Sequence, residues 1–202
     1  MYRPEAFAED RLEPIASLIQ SYPLGLLITV GADGPAANPV PFELSPDGRK
    51  LRAHLARANP QLDDLRRGEP VLVVFQGEQS YITPSWYATK QATGKVVPTW
   101  NYLMVQARGR PALTNDADWL HDQIDALTRQ MESAQPTPWA VTDAPDGYVG
   151  AMLRGIVGVE IDIQDLRGKW KAGQNKTADD RAGVRQGLSA SHPALAAATG
   201  EA

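Results

Sequence analysis

Residues 24–56 read LGLLITVGADGPAANPVPFELSPDGRKLRAHLA, and the fold follows from this stretch. Leu24–Val30 is apolar and branched. Gly31-Ala32-Asp33-Gly34 turns the chain, and Pro35–Leu44 returns it. Ser45-Pro46-Asp47-Gly48 turns it again into Leu51–Ala56. Strand-length runs joined by turn residues predict an antiparallel meander.

Outward from the meander, Leu12, Ile15, Ile19 and Tyr22 recur at helical spacing. They predict a first helix from about Glu9 to Tyr22, stopped by Pro23. A short helix is expected over Pro60–Arg67, with Asn59 as its cap and Pro60 at its first position. Val71–Phe75 reads as a buried strand, and Trp100–Arg110 as another that Pro111 ends. Asn115, with Asp118 three residues on, signals the start of the clearest helix. Its stripe of Leu120, Ile124, Leu127 and Met131 reads as core packing. A shorter helix around Tyr148–Arg154, a strand over Ile156–Ile163, a basic loop and a last helix over Ala178–Leu188 complete the domain. Short strands with few βαβ crossovers predict a mainly β, α+β fold: a small antiparallel barrel with added helices. No strand leads into a Gly-rich loop and helix, which disfavours a doubly wound sheet. Residues 1–188 form the expected domain, and 189–202 (SASHPALAAATGEA) are expected to fray.

Composition narrows the function classes. The 202 residues are 43% apolar and 22% charged, as in a globular domain. There is no cysteine, so thiol catalysis, disulfides and thiolate metal sites are excluded. No His and carboxylate cluster has metal-ligand spacing, so no metal is expected. The absence of a membrane-length apolar run or a signal peptide predicts a cytoplasmic protein with no membrane partner. The net charge of −4 argues against broad nucleic-acid binding. Residues 167–185 nevertheless hold six basic side chains against two acidic ones.

The chemistry concentrates in residues 81–102, YITPSWYATKQATGKVVPTWNY. Tyr81, Trp86, Tyr87, Trp100 and Tyr102 are five of the chain's five Trp and six Tyr. Thr83, Ser85, Thr99 and Asn101 supply short hydrogen-bonding groups between them. Aromatics alone fit a core loop, but the repeated Pro–polar–Trp triplets (Pro84-Ser85-Trp86, Pro98-Thr99-Trp100) favour a site for a flat, polar-edged molecule. His54-Leu55-Ala56-Arg57-Ala58-Asn59 runs from a strand into a helix start and suits either a phosphate or a capped helix with a surface arginine. In Gly168-Lys169-Trp170-Lys171-Ala172-Gly173-Gln174-Asn175, an extended backbone places both lysines on one face. The two amides can read a polar ring edge, or the segment is a polar loop. The three histidines are far apart, no nucleophile elbow is present, and catalytic residues are not assignable.

These motifs, in this order, resemble the PaiB family of FMN-binding negative transcriptional regulators. The resemblance runs through MYRPEAFAE, LRAHLARANPQ, YITPSWY, VPTWNY, IVGVEIDIQDLRGKWKAGQN and DDRAGVRQGL, nearly all of residues 1–188. It implies a six-stranded, flavin-reductase-like split β-barrel, a homodimer and FMN at the subunit interface. It further implies that His54, Arg57 and Asn59 lie on the phosphate side. Ser85, Trp86, Tyr87, Thr99, Trp100 and Asn101 would contact the ring or the partner subunit, with Lys171, Gln174 and Asn175 from the GKWK-x-x-QN match. Two departures accompany it: Asn38 and Gln106 stand where relatives often carry histidine. The regulator role, with DNA as partner, comes from the resemblance alone. An FMN-dependent oxidoreductase is the second reading and a haem or other flat-ligand barrel the third. Haem usually needs an axial ligand, and His54 is the one barrel histidine available.

Overall fold

The computed structural model describes residues 1–200. The meander is present as β2 (Leu24–Gly31), β3 (Gly34–Pro41), β4 (Glu43–Leu44) and β5 (Lys50–Ala56). Turn chemistry sets its register: Gly31 pairs with Gly34, and Leu24 with Pro41 at the other end. The remaining strands are β1 (Ala8–Glu9), β6 (Val71–Ile82), β7 (Thr99–Thr114) and β8 (Ile156–Lys171). They pair in the order β3-β2-β6-β7-β8-β5-β4, with β1 on β8. The pairs β1–β8, β2–β3, β2–β6, β4–β5 and β5–β8 are antiparallel. Eight strands replace the expected six because β1 and β4 have two residues each; six are long.

The helices are α1 (Leu12–Ser21), α2 (Gln61–Arg66), α3 (Ala88–Thr93), α4 (Ala117–Glu132), α5 (Tyr148–Leu153), α6 (Ala178–Leu188) and α7 (Pro193–Gly200). No helix among the described residues is long and apolar enough to cross a membrane.

Several expectations need correction. Pro111 does not end β7, which continues to Thr114; proline's fixed φ suits extended backbone, and only its N–H is lost. The helix after β7 is capped by Asp116, whose carboxylate accepts from the Trp119 N–H at 2.8 Å. Asn115 instead accepts from Arg57. The stretch expected to fray carries α7, with Leu195, Ala196, Ala198 and Thr199 buried. Glu78 caps it by accepting from the Leu195 N–H at 2.8 Å. Glu201 and Ala202, also in the predicted tail, lie outside the described residues.

The single expected domain divides into two compact units, each assembled from separate segments. The first comprises Met1–Ile15, Gln76–Val105 and the residues from Arg167 onward. Its buried residues include Ile82, Tyr87, Leu103, Val105, Val184 and Leu188. The second comprises Ala16–Phe75 and Gln106–Leu166. Its core contains Leu27, Phe42, Leu51, Val73, Phe75 and Ile161, with Phe42 and Phe75 edge to face at 5.8 Å.

Candidate functional site

In the first unit, Pro84–Trp86 forms one 3-10 turn, opened by Thr83, whose hydroxyl accepts from the Ser85 N–H. The chain then enters α3 through Tyr87, whose ring is buried. Burial raises the Tyr87 phenol pKa, and the charge of Asp180 adds to this. Asp180 accepts from the Thr89 N–H and hydroxyl at 2.9 and 2.8 Å. Burial pushes its carboxyl pKa up, but the Thr89 hydrogen bonds outweigh this and hold it below the ordinary value.

Where β7 begins, alternation places Thr99 and Asn101 on one face. The end of β8 lies beside them. The Lys171 ammonium donates to the Thr99 hydroxyl at 2.7 Å and to the Trp100 carbonyl. Burial lowers its pKa below the ordinary lysine value, and Lys169 and Lys176 lower it further. Gly173, at φ +81°, then turns the chain. Gln174 fixes this turn by accepting from the Ala172 N–H and donating to the Trp170 carbonyl. Lys176 returns over the Tyr87 ring, its ammonium 5.0 Å from the centroid.

Together these residues enclose a cavity of about 220 Å³. Tyr87, Thr99, Asn101, Lys171, Asn175 and Lys176 supply most of its functional groups, and Phe7, Val97 and Pro98 its apolar wall. No carboxylate lines it. Asn101 is only 2% exposed, and its amide, with no hydrogen bond found among the described residues, is not one of the fully buried unpaired groups: what remains accessible of it lines the cavity. A carboxamide whose accessible atoms open only on a cavity has its donor and acceptor free for a ligand there.

Five of the predicted residues therefore converge: Tyr87, Thr99, Asn101, Lys171 and Asn175. Four others in this unit, Trp86, Trp100, Ser85 and Gln174, do not line the cavity. Trp86 packs on α6, where its ring and carbonyl fill the space over Gly187 and Gly183. Trp100 is 55% exposed and stands edge to face with Tyr81, 6.1 Å away. Ser85 is exposed and accepts from Lys90. Gln174 is engaged in its turn and borders a smaller neighbouring hollow. Lys176 and Phe7 were missing from the predicted set. Lys176 lies within the basic run of residues 167–185. Phe7 had no signal, because only the β1–β8 pairing, Ala8 against Lys169, brings it near.

The phosphate-side candidates lie in the second unit, each with an intrachain partner. His54 Nδ1 pairs with Gln123 at 2.8 Å beneath α4. Asn59 accepts from the Gln61 N–H at 2.9 Å, as the expected cap of α2. Arg57 donates to the carbonyls of Arg154 and Ile156 and to Asn115, at 3.0, 2.8 and 2.9 Å. It also borders a cavity of about 320 Å³ with Asn115, Leu120, Leu153 and Arg154. Three of its five N–H donors are spent, leaving one on each terminal nitrogen for an anion. Arg57→Ala is expected to cost about 1–3 kcal/mol in urea unfolding without any ligand. Arg57→Lys should not restore this, because a point charge cannot span three acceptors. Unchanged stability in Arg57→Ala would contradict the clamp.

The departures are also placed. Asn38 donates to Gln61 at 3.1 Å. Gln106 has a buried side-chain oxygen without a partner.

Comparison with known proteins agrees with this architecture. An uncharacterized protein of Emericella nidulans is 35% identical over 93% of this chain and 90% of its own length. The Protease synthase and sporulation protein PAI 2 of Bacillus subtilis is 30% identical over 93% of this chain and 89% of its length. The Flavocytochrome Anf3 of Azotobacter vinelandii superposes with a TM-score of 0.64 at 13% identity, covering 90% of this chain and 78% of that one. The fold class read from the sequence, a flavin-reductase-like split barrel with peripheral helices, is the one shared with such structures. Residues 1–165 match the model of one family, and this chain belongs to that family, described as "Putative FMN-binding domain".

Proposed function

We propose that this chain binds FMN, and that the cavity around Asn101 receives the polar edge of the flavin ring. The unpartnered Asn101 carboxamide carries this reading. A buried amide with a free donor and acceptor matches the alternating carbonyl and N–H groups of a flavin edge. The surrounding groups fit as well: the Thr99 hydroxyl, the Asn175 amide and two ammonium groups, with no carboxylate to repel ring carbonyls. At about 220 Å³ the cavity is smaller than the roughly 300–1,000 Å³ of whole-ligand pockets, so it takes part of the molecule.

When bound, FMN supplies hydride and electron chemistry. The chain's own residues bind and orient. Thr99 and the Trp100 carbonyl fix Lys171, leaving one of its three N–H donors for the ligand. Phe7, Val97 and Pro98 exclude water from one side. The role we favour is flavin-dependent regulation, on the strength of the family resemblance. An FMN oxidoreductase remains the competing outcome of a nicotinamide oxidation assay.

A homodimer is part of the proposal. On β2 the side chains of Leu24, Leu26, Ile28 and Val30 face away from the core. Their cross-strand partners are Pro41, Pro39, Ala37 and Pro35, with Leu72 and Val74 of β6 on the other side. This is an apolar sheet face ten residues in extent. Prolines on β3 leave that strand poor in N–H donors, so association by edge pairing is blunted and face packing is favoured.

The test is FMN titration by fluorescence quenching, with Asn101→Leu beside the wild type. We expect saturation at one FMN per protomer. Asn101→Leu should bind FMN about 10- to 100-fold more weakly, the cost of leaving one or two ring groups unpaired. The same variant, without FMN, should be about as stable as the wild type, since it removes no hydrogen bond found within the protein. Equal affinity in the two proteins would sink the assignment.

A further inference from the structure

The cavity is asymmetric in charge, and this bears on which redox form of the flavin it prefers. Its two charged lining residues, Lys171 and Lys176, are both cations. Lys169 lies close enough to depress the Lys171 ammonium, with its own charge held over the rings of Tyr2 and Tyr102 at 5.5 and 5.3 Å. Asp180, which feels the Lys176 charge, is committed to Thr89 and does not line the cavity.

Two ammonium groups forced together in a partly buried hollow repel one another, and an anion between them relieves this. Oxidised flavin rings are neutral. Adding two electrons and one proton gives a reduced ring with one net negative charge, concentrated at the polar edge that the preceding section assigns to this cavity. A preorganised cationic wall stabilises the charge that appears on reduction and does little for the neutral form.

We propose that this site is a reduced-flavin site: Lys171 and Lys176 make the protein bind reduced FMN more tightly than oxidised FMN. The inference rests on the reading that the cavity takes the flavin ring. It adds what that reading leaves open, namely which redox form the protein answers to. A regulator built this way responds to the reduction state of the flavin pool and not to total flavin.

The experiment is anaerobic titration with oxidised FMN and with dithionite-reduced FMN, repeated with riboflavin. Wild type is expected to bind reduced FMN at least tenfold more tightly, which raises the bound flavin's midpoint potential by about 30 mV. Lys171→Gln and Lys176→Gln should each lower the ratio severalfold, and the double variant should bring it close to one. Lys171→Arg, which keeps the charge, should retain most of it. Lys95→Gln, an equal loss of charge on an exposed loop, should leave it unchanged. Riboflavin should show the same ratio, since the ring and not the phosphate is sensed. A wild-type ratio of one or below, or a ratio unmoved in the double variant, overturns the inference while FMN binding stands. Equal weakening of both redox forms with FMN, and none with riboflavin, places the lysines on the phosphate and overturns it too. Failure of both forms to bind wild type defeats the FMN reading itself.

Discussion

Gly183→Ala lowers the thermal unfolding midpoint, against the helix propensity of the residues concerned. A Cβ at this position of α6 would lie 2.0 Å from the Trp86 carbonyl oxygen and 3.2 Å from its carbon. Both are backbone atoms, so no rotamer change relieves the clash. In an exposed helix the same substitution stabilises by about 0.8–1 kcal/mol. Overpacking typically costs about 1–3 kcal/mol, and a backbone clash belongs at the upper end. After the helix-propensity gain, we expect a net loss of about 1–2 kcal/mol, or roughly 2–8 °C for a protein of this size. Gly187→Ala differs instructively, because its Cβ would meet the Trp86 ring at 2.4 Å. Shrinking that ring with Trp86→Leu should rescue Gly187→Ala but not Gly183→Ala, a coupling that a double-mutant cycle measures. A raised midpoint in Gly183→Ala would mean that α6 and the Pro84–Trp86 turn are not packed as described. The result bears on function, because α6 follows directly on the turn carrying Asn175 and Lys176. Loosening it is expected to weaken FMN binding as well as stability.

Leu26→Glu is expected to convert the proposed dimer to a monomer in sedimentation velocity at micromolar concentration. Leu26 sits at the middle of the apolar face, between Pro39 and Val74 in register. It is 38% exposed within one chain, with Leu24 at 61% and Val30 at 68%. A patch of this extent on a single sheet face is the kind of surface on which the proposed dimer would associate. A carboxylate at its centre would be desolvated without a partner, at a cost of several kcal/mol, enough to shift a micromolar dimer to monomer. Because the side chain points away from the core, the monomer should keep its fold by circular dichroism. Its unfolding midpoint should cease to depend on protein concentration. Tyr148→Glu, on an exposed position of α5, should remain dimeric. A wild type that is monomeric throughout the same range removes the proposed interface.

The outcome separates what local chemistry encodes from what the tertiary structure alone decides. The meander of residues 24–56, the start of α2 at Asn59-Pro60 and the helices α1 and α6 were legible because their signals lie within a few residues of one another. Turn glycines, caps and apolar period act before any distant contact forms. The cluster of Thr99, Asn101, Lys171 and Asn175 was legible as a set, through clustering and a family resemblance. Its geometry was not. That Lys171 reaches Thr99, that Asn101 is left without a partner, and that Phe7 closes one side all depend on pairings across at least 70 positions of chain. The same physics explains what the sequence leaves open. Aromatics serve cores and sites equally well, and only the tertiary structure sets Trp86 against two glycines one helical turn apart on α6. A guanidinium suits any oxygen, and only the fold gives Arg57 two backbone carbonyls and Asn115 as partners while two of its N–H donors stay free. Composition and spacing determined which side chains the protein has to work with, and the long-range strand pairing decided which of them were left unsatisfied and so available to bind.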